Sequence, residues 1–75
     1  MAGLKKRSVS LAGHATSLAL EPEFWAVLDR AAIEQSLSLA ALIIRIDEQR
    51  GGRPLASACR VYALQARAAG TTTPD

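Results

Sequence analysis

Residues 14–46 read HATSLALEPEFWAVLDRAAIEQSLSLAALIIRI, and the hydrophobic period changes within them. Up to residue 20 the period is two. Thr16, Leu18 and Leu20 share one parity while Ala15, Ser17 and Ala19 take the other, the pattern of a half-buried strand. At Glu21-Pro22 the period lengthens. Proline suits the first helical position, where its missing N–H is no loss, and Glu21 and Glu23 complement the positive end of the helix dipole. Phe24, Trp25, Leu28, Ala31, Ala32 and Gln35 follow at spacings of three and four, which predicts an amphipathic helix ending near Ser36. Ser38 is a good N-cap for a second helix that runs through Leu39, Leu42, Ile43 and Ile46 to about Gln49.

Upstream, Val9 and Leu11 alternate with Ser8 and Ser10, but on the opposite parity, and Gly13 lies at the break. Two readings fit. Either one long strand carries a bulge at Gly13, or Gly13-His14 is a two-residue turn. A hairpin closed at that turn pairs Leu11 with Thr16 and Val9 with Leu18, and puts the apolar residues on one face. Downstream, Gly51-Gly52 stops the second helix and Pro54 starts a third. Its apolar positions are Leu55, Cys59, Tyr62 and Ala66, with Ala58, Val61 and Ala63 alongside, and Gly70 ends it. The organisation read from this is a basic arm or extra strand over 1–13 and a core over 14–50. A C-terminal helix over 51–69 and a disordered tail over 70–75 complete it. The fold class is mainly α with one short strand or hairpin.

Seventy-five residues make one small unit, whose isolated core supplies only roughly 3–5 kcal/mol. Small chains make up the difference with disulfides, a metal or a partner. Cys59 is the sole cysteine and His14 the sole histidine, so neither an internal disulfide nor a four-ligand zinc site is available, and no cofactor is expected. Oligomerisation remains. A hydrophobic fraction of 49% with a net charge of only +2 excludes disorder for the chain as a whole. No apolar core follows Lys5, Lys6 and Arg7, which argues against a signal peptide. The longest apolar run, residues 39–44, is far too short for a membrane span. The lone cysteine suits a reducing interior, and the expected compartment is the cytoplasm.

Charge is segregated along the chain. Residues 1–20 carry Lys5, Lys6 and Arg7 and no acid. Residues 21–48 hold Glu21, Glu23, Asp29, Glu34, Asp47 and Glu48 against Arg30 and Arg45. Residues 49–70 carry Arg50, Arg53, Arg60 and Arg67 and no acid. Basic ends of this kind suit a polyanion, which a dimer would meet with each cluster doubled.

The order of elements in residues 14–46 resembles the ribbon-helix-helix family of bacterial DNA-binding proteins. The residues that carry the resemblance are the alternating strand ending in Leu20, the helix start Glu21-Pro22-Glu23, and the bulky pair Phe24-Trp25. Leu28, Ala32, the polar turn Ser36-Leu37-Ser38 and the run Leu42-Ile43 complete it. The resemblance implies a homodimer whose antiparallel ribbon, one strand from each copy, enters the major groove of double-stranded DNA. It places Ala15, Ser17 and Ala19 on the groove face and the amides near Ser38 and Leu39 on a phosphate. The dimer core it implies is Leu18, Leu20, Phe24, Trp25, Leu28, Leu42, Ile43 and Ile46. Lys5, Lys6, Arg7 and His14 complete the candidate DNA contacts, the three cations acting on the backbone. Ala15 and Ala19 offer no hydrogen bond, and a serine discriminates poorly between bases. If residues 8–12 fold back on the strand, the dimer sheet has four strands, too wide for a groove of about 12 Å.

Two further function classes stay open: an antitoxin-like or adaptor protein that binds a partner through the third helix, and a ribbon-helix-helix dimer without DNA binding. Arg53, Arg60 and Arg67 recur every seven residues and read as a solvated face of the third helix. Cys59 reads as a small buried hydrophobe, and Trp25 and Tyr62 as core anchors. No serine, histidine and acid share a short motif and no phosphate-loop glycine pattern occurs, so enzymatic activity is not expected.

Overall fold

The computed structural model describes residues 3–11 and 13–71, with side chains to residue 68. The expected tail falls outside them apart from residues 70 and 71, which continue the last helix. Five elements follow in order: β1 Lys5–Leu11, β2 His14–Leu20, α1 Pro22–Glu34, α2 Leu39–Gln49 and α3 Leu55–Thr71.

Of the two readings open for residues 8–20, the chain adopts the hairpin: β1 and β2 pair antiparallel as a two-stranded sheet. The turn is not the expected one. His14 belongs to β2 and pairs with Leu11 instead of lying in the turn, and Val9 faces Thr16 while Arg7 faces Leu18. Gly13 has φ +84, a conformation open to glycine at little cost. A register shift of two residues preserves parity. Val9, Leu11, Leu18 and Leu20 are therefore still buried on one face, and Ser8, Ser10, Ala15 and Ser17 are exposed on the other.

The helices begin and end where local chemistry dictates. Pro22 opens α1 behind Glu21, and Ser38 caps α2 by accepting the Ala41 N–H on its Oγ at 3.0 Å. Helix α1 closes at Ser36, whose φ of +58 is left-handed, with Ser36 N–H donating to the Ile33 carbonyl and Leu37 N–H to the Ala32 carbonyl. That is the two-bond helix terminus usually made with glycine. Gly51, at φ +61, follows α2 in the same conformation.

β1 packs on α2 and β2 on α3, and the three helices pack on one another. Leu20, Leu28, Leu42, Ile43 and Cys59 are fully buried at their centre. The face α3 presents differs from the expected one. Ala58, Cys59 and Ala63 are buried, whereas Leu55 and Tyr62 are half-buried. Small side chains let α3 approach the other helices closely, and Tyr62 stays at the margin, where its hydroxyl oxygen accepts from Gln35 Nε2 at 2.7 Å. All of the residues expected in a dimer core lie in or against the core of a single protomer, with Phe24 half-buried.

Candidate nucleic-acid interface

The outward face of the ribbon follows from the register. Lys6 lies opposite Ala19, Ser8 opposite Ser17, and Ser10 opposite Ala15. β1 thus adds one cation and two hydroxyls, from Ser8 and Ser10, to the three positions expected from β2 alone. No carboxylate belongs to either strand. His14 is exposed at the tip, on the parity of the buried residues.

The three N-terminal cations divide. They do not form a free arm, because all three lie within β1. Lys5 and Lys6 are exposed, with no ion pair among the described residues. Arg7 points inward and is half-buried. Its Nη1 donates to Asp29 Oδ2 at 3.2 Å and its guanidinium lies over the Trp25 ring. The Trp25 indole Nε1–H in turn donates to the Lys5 carbonyl at 2.7 Å, so α1 grips the open end of β1 through two side chains. Asp29 was not legible as an acceptor for Arg7, since 22 residues separate them.

The C-terminal arginines are also less available than their spacing suggests. Arg60 is not on a solvated face: its Nε donates to Glu21 Oε1 at 2.9 Å and its guanidinium lies 5.9 Å from the Phe24 ring centre. The Glu21 carboxyl is held below the usual carboxylate range, first by a backbone N–H and then by Arg60. Arg50 pairs with Asp47 at 2.6 Å and donates to the Arg53 carbonyl. Arg53 precedes α3 and does not share its face. The basic stretch over residues 49–70 is thus partly neutralised by acids from elsewhere in the chain.

At the start of α2, the Ser38 hydroxyl takes the Ala41 N–H, and the amides of Leu39 and Ala40 have no partner among the described residues. This helix terminus and the ribbon face belong to different elements, joined through the packing of α2 on β1. Ser38 is exposed and Leu39 half-buried. Among the described residues no cluster of side chains could hold a metal ion, and no helix is long and apolar enough to cross a membrane.

A hairpin followed by helices, with this turn between α1 and α2, has a counterpart among known families. The chain belongs to the ribbon-helix-helix domain family, whose family model matches residues 4–67. That range takes in β1 and most of α3, well beyond the stretch that carried the sequence resemblance. No curated protein and no solved structure matches the chain. The family is a non-enzymatic, DNA-binding fold family, so the chain has the fold of a DNA-binding regulator.

Proposed function

We propose that this protein is a DNA-binding regulator that acts as a two-fold dimer and holds double-stranded DNA mainly by its phosphates. Lys5 and Lys6 lead the contact, and the α2 amides at Leu39 and Ala40 offer a second anion site, where free N–H groups and the helix dipole act together. The observation that carries the reading is a ribbon whose outward face holds no acid and whose open end exposes two lysines with no ion pair among the described residues. Ser8, Ser10 and Ser17 supply hydroxyls that accept or donate to several bases, and Ala15 and Ala19 supply none, so affinity is phosphate-led and base discrimination small. Arg7 is engaged by Asp29 and Trp25 and stands outside the contact.

Salt titration on random-sequence duplex tests this. Removing one phosphate interaction reduces the slope of log affinity against log salt by about 0.9. Lys6→Ala should flatten the slope alike on every sequence, and Ser17→Ala should leave it unchanged. Absence of binding at low salt, or a slope indifferent to Lys5→Ala and Lys6→Ala together, overturns the reading.

A protein-partner role has one observation in its favour. Leu64 on α3 is 61% exposed beside half-buried Phe24 and Val27, an apolar groove between α1 and α3. On that reading Leu64→Glu abolishes partner binding and leaves the DNA salt slope as it was.

A further inference from the structure

The chain between α2 and α3 reads Arg50-Gly51-Gly52-Arg53, and the ribbon's contact with DNA uses neither arginine. Two successive glycines let the backbone reverse tightly, with Gly51 at φ +61, and the Arg53 N–H closes the turn on the Arg50 carbonyl at 3.1 Å. The ends of such a turn lie within about 7 Å of each other between Cα atoms. Both arginines therefore reach one place, a cleft of about 220 Å³ between the C-terminal end of α2 and the N-terminal half of α3. Buried Ile46 and Ala58, with half-buried Val61, give the cleft its apolar part. Arg50, Arg53 and Tyr62 bring polar groups to it, and no acid is among its lining residues.

The two arginines are in different states. Arg50 is braced: its Nε donates to Asp47 Oδ1 at 2.6 Å and its Nη1 to the Arg53 carbonyl at 2.7 Å. Two of the five N–H donors of a guanidinium are thus spent, and its charge already faces a carboxylate. Arg53 is exposed, and its guanidinium has neither ion pair nor hydrogen bond among the described residues. The Tyr62 hydroxyl accepts from Gln35 Nε2 at 2.7 Å, which leaves its own proton to donate. The carbonyl end of α2 by itself disfavours an anion, but here both guanidinium groups and the bond that closes the turn offset it. One uncompensated positive charge and several spare donors thus stand beside apolar carbon.

We propose that this cleft binds a small organic monocarboxylate, its carboxylate on Arg53 and its apolar or aromatic body against Ile46, Ala58 and Val61. A planar guanidinium fork matches a carboxylate in shape, and one uncompensated arginine matches it in charge. A phosphate monoester carries about −1.5 to −2 at neutral pH and leaves charge unmatched. The cleft is smaller than the about 300–1,000 Å³ of sites for drug-sized ligands, which restricts the ligand to a small acid. It lies at the other end of α2 from the amides of Leu39 and Ala40, about 16 Å away by the rise of that helix. A bound acid therefore leaves the ribbon and the α2 amides uncovered, and the proposal goes beyond the regulator reading without depending on it.

Titration of the isotope-labelled full chain with sodium benzoate, read by two-dimensional nuclear magnetic resonance at fixed ionic strength, tests this. Benzoate should shift the backbone amides of Arg53, Val61 and Tyr62 saturably in the millimolar range. Its neutral isostere benzamide should bind about tenfold or more weakly, the loss expected when a charged hydrogen bond goes. Inorganic phosphate should also bind these positions more weakly than benzoate. Arg53→Gln should weaken benzoate by the same factor and leave the circular dichroism spectrum unchanged, since that guanidinium holds no other group among the described residues. Shifts that do not saturate, benzamide or phosphate matching benzoate, or Arg53→Gln binding as the wild type does would each overturn the proposal. Benzoate shifts centred on Lys5 and Lys6 would overturn it too, by assigning the anion to the ribbon. So would random duplex DNA moving the Arg53 and Val61 amides where benzoate does not, which would make the turn a DNA-backbone contact. A ribbon that fails to bind DNA changes none of these outcomes.

Discussion

The Arg7 guanidinium lies 4.6 Å from the centre of the Trp25 ring, and the same group meets Asp29 at 3.2 Å. Arg7 is thereby a clasp between β1 and α1. The ion pair is more than a third exposed on both sides and is worth little alone, and the ring contact adds about 0.5–1 kcal/mol. Arg7→Ala should destabilise the fold by about 1–2 kcal/mol in chemical denaturation, through poorer packing as well as the missing charge. It should leave the salt slope of DNA binding unchanged. A flattened slope with unaltered stability would return Arg7 to the DNA contacts.

Ser36 closes α1 in a left-handed conformation that costs a residue with a side chain about 1 kcal/mol or more. Glycine has no such steric cost, though it frees the unfolded chain further. Ser36→Gly should raise stability by about 0.5–1 kcal/mol, read as a higher melting temperature with an unchanged far-ultraviolet circular dichroism spectrum. Ser36→Val should lower it, since a branched side chain fits this conformation worst.

Burial pushes the Cys59 thiol up, from an ordinary value of 9.0 to about 11. Below pH 9 both folded and unfolded chains hold the proton, and no stability change arises from this group. Between about pH 9 and about 11 the unfolded chain releases it while the folded chain keeps it, so stability falls as pH rises. Cys59→Ala should remove that alkaline decline. The wild-type thiol should also resist alkylation until the chain unfolds, and rapid labelling of the native protein would contradict its burial.

Glu21 behaves in the opposite sense. Its folded carboxyl ionises more easily than in the unfolded chain, so its contribution is present above the unfolded value and is lost as acid carries the pH down through the folded one. Glu21→Gln should leave the acid limb of the stability curve shallower and, by releasing Arg60, should loosen α3 from α1. Hydrogen exchange in α3 reads that loosening directly, and identical exchange in the variant would show the pair to be idle.

Removing α3 altogether, by truncation after Gly52, takes away Ala58, Cys59 and Ala63 from the core and uncovers the sides of β2, α1 and α2 on which α3 packs. Cooperative unfolding should be lost or its midpoint sharply lowered. An unchanged midpoint would make α3 a partner-binding appendage, in favour of the adaptor reading.

What the sequence determined by itself is what neighbouring residues enforce. Pro22 after Glu21 sets the start of α1, the Ser38 hydroxyl sets the start of α2, Gly51 sets its end, and the period of two sorts Leu18 and Leu20 from Ser17 and Ala19. Each is a backbone dihedral or a hydrogen bond spanning a few positions, so the local string specifies it. Only the tertiary structure decided the register of the hairpin, the face that α3 buries, and the fate of the cations. Two registers two residues apart bury the same side chains, so parity could not choose between Gly13-His14 and the turn that formed. Arg7 and Arg60 find their acids 22 and 39 residues away. Coulomb attraction acts through space and not along the chain, and which arginines stay free for a polyanion is therefore settled only when the helices pack.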